Sequence, residues 1–250
     1  MNIANKTVLI TGGGSGIGFE TAKLLSEKGN RILIIGRDGG KLARAAAALN
    51  NVSYLAIDIT RQNEVDGLHK EILSRFSELS VVINNAAASF VYAHADGVNA
   101  FDKASQEMLT NYLSVIRLNE TLLPVLKKQP EAAIVNVTSL VSIAPVTVIP
   151  TYSDTKAALH SYTLALRHEL GKDTAVKVFE LLPPLVNTDF SKEIGGEANG
   201  IPAADVAKAL LQGITEDLEE IYVGQTKDFR TLYLSDPKTA FQTLNQTQVA

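Results

Sequence analysis

Residues 7–25 read TVLITGGGSGIGFETAKLL, which places an apolar run, a cluster of glycines and a helix-forming segment in direct succession. The glycines follow the spacing Gly12-x-x-x-Gly16-x-Gly18 and not G-x-G-x-x-G, whose third glycine would fall on Ile17. Unpaired N–H groups at the start of a helix attract a phosphate, and glycine lets the backbone approach it closely. The stretch therefore predicts a phosphate-binding turn formed by Gly12, Ser15, Gly16, Ile17 and Gly18.

The rest of the chain alternates short apolar runs with helix-length segments. The runs that we predict as strands are Thr7–Thr11, Arg31–Ile35, Val52–Ile57, Val81–Asn84, Ala133–Thr138, Val176–Leu182 and Glu220–Val223. The segments that we predict as helices are Thr21–Lys28, Lys41–Leu49, Glu64–Phe76, Gln106–Lys127, Thr155–Gly171 and Ala204–Ile214. This alternation predicts an α/β fold of the doubly wound Rossmann type, with a parallel sheet of about seven strands and helices on both faces.

No internal repeat or Pro/Gly/Ser-rich linker interrupts the alternation. We therefore predict that residues 1–250 form a single nucleotide-binding domain. Three glycines interrupt any periodicity in Glu193–Pro202, which predicts a mobile loop there. The polar tail at residues 245–250 is predicted to fray.

Composition excludes several classes of protein. The 250 residues include no Cys, which excludes thiol catalysis, Cys-ligated zinc and disulfides. A net charge of −4 without a basic run argues against a nucleic-acid partner. No basic and apolar leader opens the chain, and the uncharged stretch Ala132–Ser153 holds too many polar residues and prolines for a membrane span. We therefore expect a cytoplasmic protein without membrane insertion.

Gly36 and Arg37 follow the second predicted strand, where dinucleotide-binding folds contact the adenosine ribose. An acidic residue there binds the ribose hydroxyls of NAD, whereas a guanidinium accommodates the 2′-phosphate of NADP. Arg37 therefore favours NADP(H) over NAD(H). Asp38 leaves alternatives open, because it could reach the ribose or pair with Arg37, and the same residues could form an ordinary surface turn.

Tyr152 and Lys156 are four residues apart and share one face of a predicted helix. A nearby ammonium lowers the pKa of a tyrosine towards values useful for proton transfer. A pair of this kind alone is weak evidence of catalysis, because it is also an ordinary amphipathic arrangement.

Several motifs occur together in this chain. They are Gly12-x-x-x-Gly16-x-Gly18, Asn84-Asn85-Ala86, Ser139 thirteen residues before Tyr152, Tyr152-x-x-x-Lys156, and Pro183-Pro184-Leu185-Val186-Asn187-Thr188. In this combination, the segment Lys6–Val223 resembles the short-chain dehydrogenase/reductase family. The ending of the chain, Ile221–Lys227 with Leu244 and Asn245, is similar to the short-chain oxidoreductases associated with D-alanylation of teichoic acids in Gram-positive bacteria.

The resemblance implies an oxidoreductase that transfers a hydride between the nicotinamide of NADP(H) and a small-molecule carbonyl or secondary alcohol. Tyr152 is then the general acid and base, and Ser139 hydrogen-bonds the substrate oxygen. Lys156 holds the nicotinamide ribose and lowers the pKa of Tyr152. Asn111 completes the catalytic set by anchoring a water that relays protons to Lys156.

The resemblance also implies further cofactor contacts. Asp58 and Ile59 are expected near the adenine, and Asn84 and Ala86 are expected to contact the adenosine ribose through their backbone. Pro183, Val186 and Thr188 are expected at the nicotinamide, together with Tyr152 and Lys156. Hydride chemistry belongs to the cofactor, and the protein supplies position and proton transfer.

Departures from the family pattern limit this inference. Ala87 and Pro184 stand where the family usually has Gly, which is tolerable if the backbone there needs no positive φ. The frequent Gly-Gly ending that supports tetramers is missing, so we expect a homodimer through Gln106–Lys127 and Thr155–Gly171.

Other functions were weighed against the oxidoreductase. His160 and His168 lie about two helical turns apart, so no metal site is expected. Ser139 lacks the Gly-x-Ser-x-Gly context of a hydrolase nucleophile. The alternative from another class is a non-catalytic nucleotide-sensing or partner-binding protein that kept the fold.

Overall fold

The computed structural model describes residues 1–95 and 97–246. Its strands are β1 (Thr7–Thr11), β2 (Arg31–Gly36), β3 (Val52–Ala56), β4 (Leu79–Asn84), β5 (Ala132–Val137), β6 (Val176–Leu182), β7 (Val186–Asn187), β8 (Ile201–Pro202) and β9 (Glu220–Tyr222). Seven of these described strands form one parallel sheet in the order β3-β2-β1-β4-β5-β6-β9. The predicted doubly wound α/β fold is therefore confirmed.

Helices cover both faces of the sheet. They are α1 (Gly16–Ser26), α2 (Gly39–Ala47), α3 (Gln62–Arg75), α4 (Ala100–Met108), α5 (Ser114–Leu126), α6 (Pro150–Asp173), α7 (Gly196–Asn199), α8 (Ala203–Thr215), α9 (Thr226–Ser235) and α10 (Pro237–Gln246). Side chains alternate across β1, so Ile10 joins a buried cluster with Leu25 of α1 and Leu210 of α8. Leu9 points the other way, into a cluster with Leu118 of α5. The strands are apolar on both sides because each side is covered.

The order of the strands reverses between β1 and β4, since the chain runs outward to β3 and then returns to the other side of β1. In open parallel sheets a crevice opens at this point, beyond the carboxyl ends of the strands. The glycine cluster follows β1, and Asn84 ends β4. The fold therefore places the two motifs side by side at one edge of the sheet.

The segment predicted as one helix over Gln106–Lys127 is built differently. It contains the end of α4, a π-helical turn at Leu109–Leu113 and then α5. The Ser114 N–H donates to the carbonyl of Leu109 across this turn, five residues back. The apolar periodicity of the segment carries no sign of such an insertion.

The segment predicted as a mobile loop, Glu193–Pro202, contains regular structure that its sequence did not indicate. A 3₁₀ turn at Asp189–Ile194 leads into α7, and β8 pairs with β7 in a short parallel ladder. Gly200 fits there because a Cβ atom on it would lie 2.4 Å from the backbone N of Asn187. The glycines of this segment thus allow close packing of the backbone, whereas their spacing in the sequence indicated only an interruption of helical or strand periodicity.

The C-terminal helices α9 and α10 were not predicted. The first two residues of the tail predicted to fray end α10, and residues 247–250 lie outside the described residues. Among the described residues, no helix is both long and apolar enough to cross a bilayer.

Candidate active site

A cavity of about 900 Å³ lies at the carboxyl ends of the strands. At one end it is lined by Arg37 and Asp58, and at the other by Phe190 and Leu244. The predicted residues that line it are Gly12, Ser15, Gly16, Ile17, Arg37, Asp58, Ile59, Ala86, Ser139, Tyr152, Lys156, Pro183, Val186 and Thr188. One cavity therefore brings together the phosphate-binding turn and the proposed catalytic side chains.

The glycine turn leaves no room for side chains. Gly12 has a φ of +67°, and a Cβ atom on it would lie 2.9 Å from Asn85 Nδ2. A Cβ atom on Gly18 would lie 2.4 Å from the carbonyl oxygen of Gly12. Gly18 itself does not line the cavity and instead lets the first turn of α1 pack against Gly12. The turn is thus a cradle that exposes backbone at the start of a helix, which fits a bound pyrophosphate.

Two residues that the sequence analysis did not assign hold this cradle to the end of β4. The Thr11 hydroxyl accepts hydrogen bonds from the backbone N–H groups of Asn85 and Ala86, at 2.9 and 2.8 Å. The Asn85 amide donates in return to the carbonyl of Thr11 at 2.9 Å. The signal that could have identified the pair is a polar residue at the end of each strand, since Thr11 is the last residue of β1 and Asn85 directly follows β4.

Asn84 was expected to contact the adenosine ribose through its backbone, and its side chain points into the interior of the protein. Its amide nitrogen donates to Asn119 and Asn136, at 2.9 and 2.8 Å, in a buried network between β4, β5 and α5. It does not line the cavity, whereas its neighbour Asn85 does. Asn84 and Asn85 point in opposite directions because successive side chains along a strand alternate between its two faces.

The turn after β2 carries two cations. Arg37 and Lys41 both line a depression of about 360 Å³ that adjoins the glycine turn. The Asp38 carboxylate accepts from the backbone N–H of Lys41 at 2.9 Å and so caps α2, and this hydrogen bond lowers the pKa of Asp38. Of the alternatives for Asp38, the structure therefore favours a structural cap.

Asp58 lines the cavity together with Arg37. Its carboxylate accepts hydrogen bonds from the Thr60 backbone N–H at 3.0 Å and from the Thr60 hydroxyl at 2.7 Å. These bonds fix the turn after β3, and Ile57, Ile59 and Thr60 form the adjacent wall.

The catalytic candidates meet at the centre of the cavity. The Lys156 ammonium lies 5.4 Å from the centroid of the Tyr152 ring and donates to the carbonyl of Val137 at 2.7 Å. The Ser139 hydroxyl accepts from the Val141 N–H at 3.3 Å and caps a 3₁₀ turn at Leu140–Ser142. Helix α6 therefore presents Tyr152 and Lys156 to the loop that follows β5.

The electrostatics at Tyr152 differ from the expectation. Burial and then the negative charge of Glu107 raise the pKa of the Tyr152 hydroxyl, which is opposite to the direction expected from Lys156. Burial also lowers the pKa of Lys156 to about 8, while Glu180 acts in the other direction. The ammonium is held by a strand carbonyl, so its influence on the phenol is weaker than the shared helix face implied.

Asn111, the fourth predicted catalytic residue, does not line the cavity. Its side chain accepts from the Ala88 N–H at 2.7 Å and donates to the Ala88 carbonyl and the Thr155 hydroxyl at 2.8 and 2.9 Å. It therefore joins the π-helical turn to the chain after β4 and to α6.

Neither Ala87 nor Pro184 has a positive φ, so both replacements of Gly are accommodated.

A buried carboxylate lies beneath the catalytic centre. Glu180 on β6 is fully buried and accepts from the Thr138 hydroxyl at 2.6 Å and pairs with His160 Nδ1 at 2.9 Å. His160 follows Lys156 by one turn of α6 and is engaged with Glu180. Within residues 1–95 and 97–246, no group of His, Asp and Glu side chains is placed to hold a metal ion.

The chain was compared with families of known proteins and with curated relatives. The family model described as short chain dehydrogenase matches residues 6–199. The uncharacterized oxidoreductase DltE of Bacillus subtilis is 36% identical over 249 residues, which are 98% of each chain. This match supports the resemblance of the chain's ending to a narrower group of oxidoreductases within the family.

Solved structures agree in fold. A short chain dehydrogenase from Burkholderia cenocepacia in complex with NADP superposes with a TM-score of 0.86 and 24% identity, over 98% of this chain and 99% of the other. A short chain dehydrogenase/reductase from Burkholderia phymatum in complex with NAD gives 0.87 and 21%, over 96% of each chain. Family model, relatives and fold coincide over the residues that carry the motifs, and the chain belongs to the short-chain dehydrogenase family.

Proposed function

We propose that the chain is an NADP(H)-dependent oxidoreductase that transfers a hydride between the nicotinamide and a carbonyl or secondary alcohol. The observation that carries the proposal is the single cavity in which the glycine cradle at α1 adjoins Tyr152, Lys156 and Ser139. The bound cofactor supplies the hydride, and the cradle fits it because backbone atoms fill the space that side chains on Gly12 and Gly18 would need.

Proton transfer falls to Tyr152 in this proposal. Its raised pKa keeps the phenol protonated at neutral pH, so it can donate to a carbonyl oxygen as negative charge develops there. The Ser139 hydroxyl orients the same oxygen. Lys156 keeps its charge at neutral pH, because its lowered pKa of about 8 is still above 7, and it can hold the nicotinamide ribose. Asn111 acts as a positioning residue through Ala88 and Thr155.

The proposal is tested by removing one hydroxyl. Tyr152→Phe should bind NADPH as the wild type does, while turnover in a panel of ketones and aldehydes falls by roughly 10²–10⁴-fold. Tyr162→Phe on the same helix is the matched control and should keep near-wild-type turnover. Wild-type activity in Tyr152→Phe would refute the assignment of the general acid. NADPH binding without turnover by the wild-type protein would favour a nucleotide sensor.

The preference for NADP(H) follows from Arg37 and Lys41 beside the glycine turn. Two cations there offer donors to a 2′-phosphate, while the Asp38 carboxylate is engaged at the start of α2. A carboxylate free to bind the ribose hydroxyls would favour NAD(H) instead.

Arg37→Ala tests the preference. Loss of one charge-assisted contact costs about 1.5–3 kcal/mol, so the Kd for NADPH should rise roughly ten-fold or more and that for NADH should change little. Fluorescence titration of both cofactors measures this, with the exposed Arg75→Ala on α3 as control. Equal losses for both cofactors would contradict the preference.

A homodimer is proposed through the face formed by the π-helical turn and α6. Leu109, Leu113 and Leu164 are exposed there at 36%, 47% and 40% of their surface. Apolar side chains clustered on neighbouring helices are typical of a surface that a second copy covers. Sedimentation at micromolar concentration should show a dimer, and a monomer would contradict the proposal.

A further inference from the structure

The C-terminal end of the described chain returns to the cavity. Helices α9 and α10 lie beyond residues 6–199, which the family model matches. Nevertheless, Leu244 on α10 and Gln225, directly before α9, line the cavity together with Tyr152 and Phe190. A segment outside the matched region therefore forms part of the wall around the proposed catalytic tyrosine.

Asn245 attaches α10 to the loop before α6. Its side-chain oxygen accepts from the Thr147 N–H at 2.8 Å, and its amide donates to the Pro145 carbonyl at 3.1 Å. The two bonds satisfy neighbouring backbone groups of one loop with one side chain from about a hundred residues further along the chain. Leu244 is the adjacent residue, so Asn245 fixes its position relative to that loop.

The same loop carries apolar lining residues. Val146, Val148 and Ile149 face the cavity that Leu244 lines. The loop is also held by Ser153, whose hydroxyl accepts from the Val146 N–H at 3.2 Å, and by Tyr92, whose N–H donates to Val148 at 3.0 Å. Leu244 thus faces a fixed aliphatic surface.

The charges around the cavity select against anions. Among the described residues that line it, the cations are Arg37 at the adenosine end and Lys156 at the centre. The segment at Phe190 contributes the carboxylates of Asp189 and Glu193 instead. Asp189 and Glu193 are solvent-exposed, and Asp189 lies 4.0 Å from the Lys41 ammonium. A carboxylate or phosphate on the distal arm of a substrate would therefore meet like charge on this segment and no cation among the described residues that line it.

We propose that Leu244, held in place by Asn245, is a specificity-determining residue, and that the site takes uncharged ketones or secondary alcohols whose apolar arm packs against it. The substrate class rests on the proposed function, whereas the wall itself can be tested by binding alone. The Tyr152→Phe variant loaded with NADP⁺ is suited to this test, because a bound alcohol is not turned over.

Calorimetric titration of three alcohols into this holoenzyme provides the first test. We expect 2-octanol to bind at least about ten-fold more tightly than 7-hydroxyoctanoate, which has the same chain length and a terminal carboxylate. We also expect 2-octanol to bind more tightly than 2-butanol, since its longer arm reaches the wall. Equal or reversed affinities, or no binding of 2-octanol, would overturn the proposal.

The second test removes the wall. In the same background, Leu244→Ala should weaken 2-octanol roughly ten-fold and change 2-butanol by less than about two-fold. Asn245→Ala should act in the same direction, because it releases Leu244 and the loop, and Gln242→Ala on the exposed side of α10 should change neither. A uniform loss for both alcohols in Leu244→Ala and Asn245→Ala would mean a merely structural role and would overturn the proposal.

Turnover separates this inference from the proposed function. If 2-octanol binds as expected but the wild-type protein does not reduce 2-octanone with NADPH, the oxidoreductase proposal fails and the apolar wall stands. If the wild type reduces 2-octanone and 7-oxooctanoate with equal kcat/KM, the function stands and the inference about substrate class is wrong.

Discussion

The two ends of the cavity are built by different means. At the cofactor end, Gly12 and Gly18 leave the backbone of the turn exposed. The Thr11 hydroxyl at the end of β1 holds this turn to the chain after β4 through two hydrogen bonds. At the substrate end, Leu244, Phe190 and Val148 come from three distant segments and contribute side chains. A backbone site needs particular residue types at fixed spacing, whereas a side-chain wall needs only shape and apolarity. The first end is therefore readable as a motif, and the second becomes visible only when the chain is folded.

The largest effect should come from filling the backbone cradle. In Gly18→Ala the new methyl would lie 2.4 Å from the Gly12 carbonyl oxygen, so the turn must shift. Overpacking of this kind costs about 1–3 kcal/mol, and with the loss of pyrophosphate contacts the Kd for NADPH should rise roughly thirty-fold or more. Titration measures it, with Gly67→Ala as control. Unchanged NADPH binding in Gly18→Ala would contradict the claim that the cofactor end depends on backbone kept free of side chains.

A smaller effect concerns the buried carboxylate between the two ends. The hydrogen bond that the His160 ring donates to the Glu180 carboxylate raises the pKa of His160 above 6.5, with burial acting against it. A histidine whose pKa is higher in the folded state stabilises the fold fully below pH 6.5, and this contribution is lost as the pH rises through the folded value. His160→Gln keeps a donor that does not titrate.

The measurement is the free energy of unfolding in urea at about pH 6 and about pH 9. The excess of the wild type over His160→Gln should be larger at the lower pH by on the order of 1 kcal/mol, since His160 is one-third exposed and its pairing is partly screened. A difference that stays constant with pH would show that Glu180 does not hold a protonated His160.

The smallest effect is expected where a glycine has no neighbour. A Cβ atom on Gly67, inside α3, would meet nothing within 4 Å. Gly67→Ala should therefore stabilise the fold by about 0.5–1 kcal/mol through helix propensity and leave NADPH affinity unchanged. Thermal unfolding detects the gain. A loss of stability in Gly67→Ala would mean that the free space around a glycine does not predict whether a methyl group is tolerated there.

The sequence predicted the sheet and the cofactor end because their patterns are local. The strand at Thr7–Thr11 ends before a glycine and the strand at Val176–Leu182 ends before a proline, and both have the predicted bounds. A dipeptide of two asparagines does not reveal which residue lines the cavity, and the structure shows that Asn85 does while the Asn84 side chain joins a buried network. The roles of Leu244 and Asn245 could not be predicted, since they depend on contacts with Thr147 about a hundred residues away.

The π-helical turn at Leu109–Leu113 has a consequence for helical phase. Each residue of an α-helix advances the side-chain direction by about 100°, so a turn that holds one extra residue shifts every later side chain by that angle. Glu107 before the turn is buried against Thr151, and Leu118 after it is buried against the sheet. If the same residues formed a regular α-helix without the wide turn, the later stretch would be rotated by about 100°, and Glu107 and Leu118 could then no longer both be buried. One continuous helical segment can bury both Glu107 and Leu118 only because the wide turn around Asn111 changes the direction of the side chains that follow it.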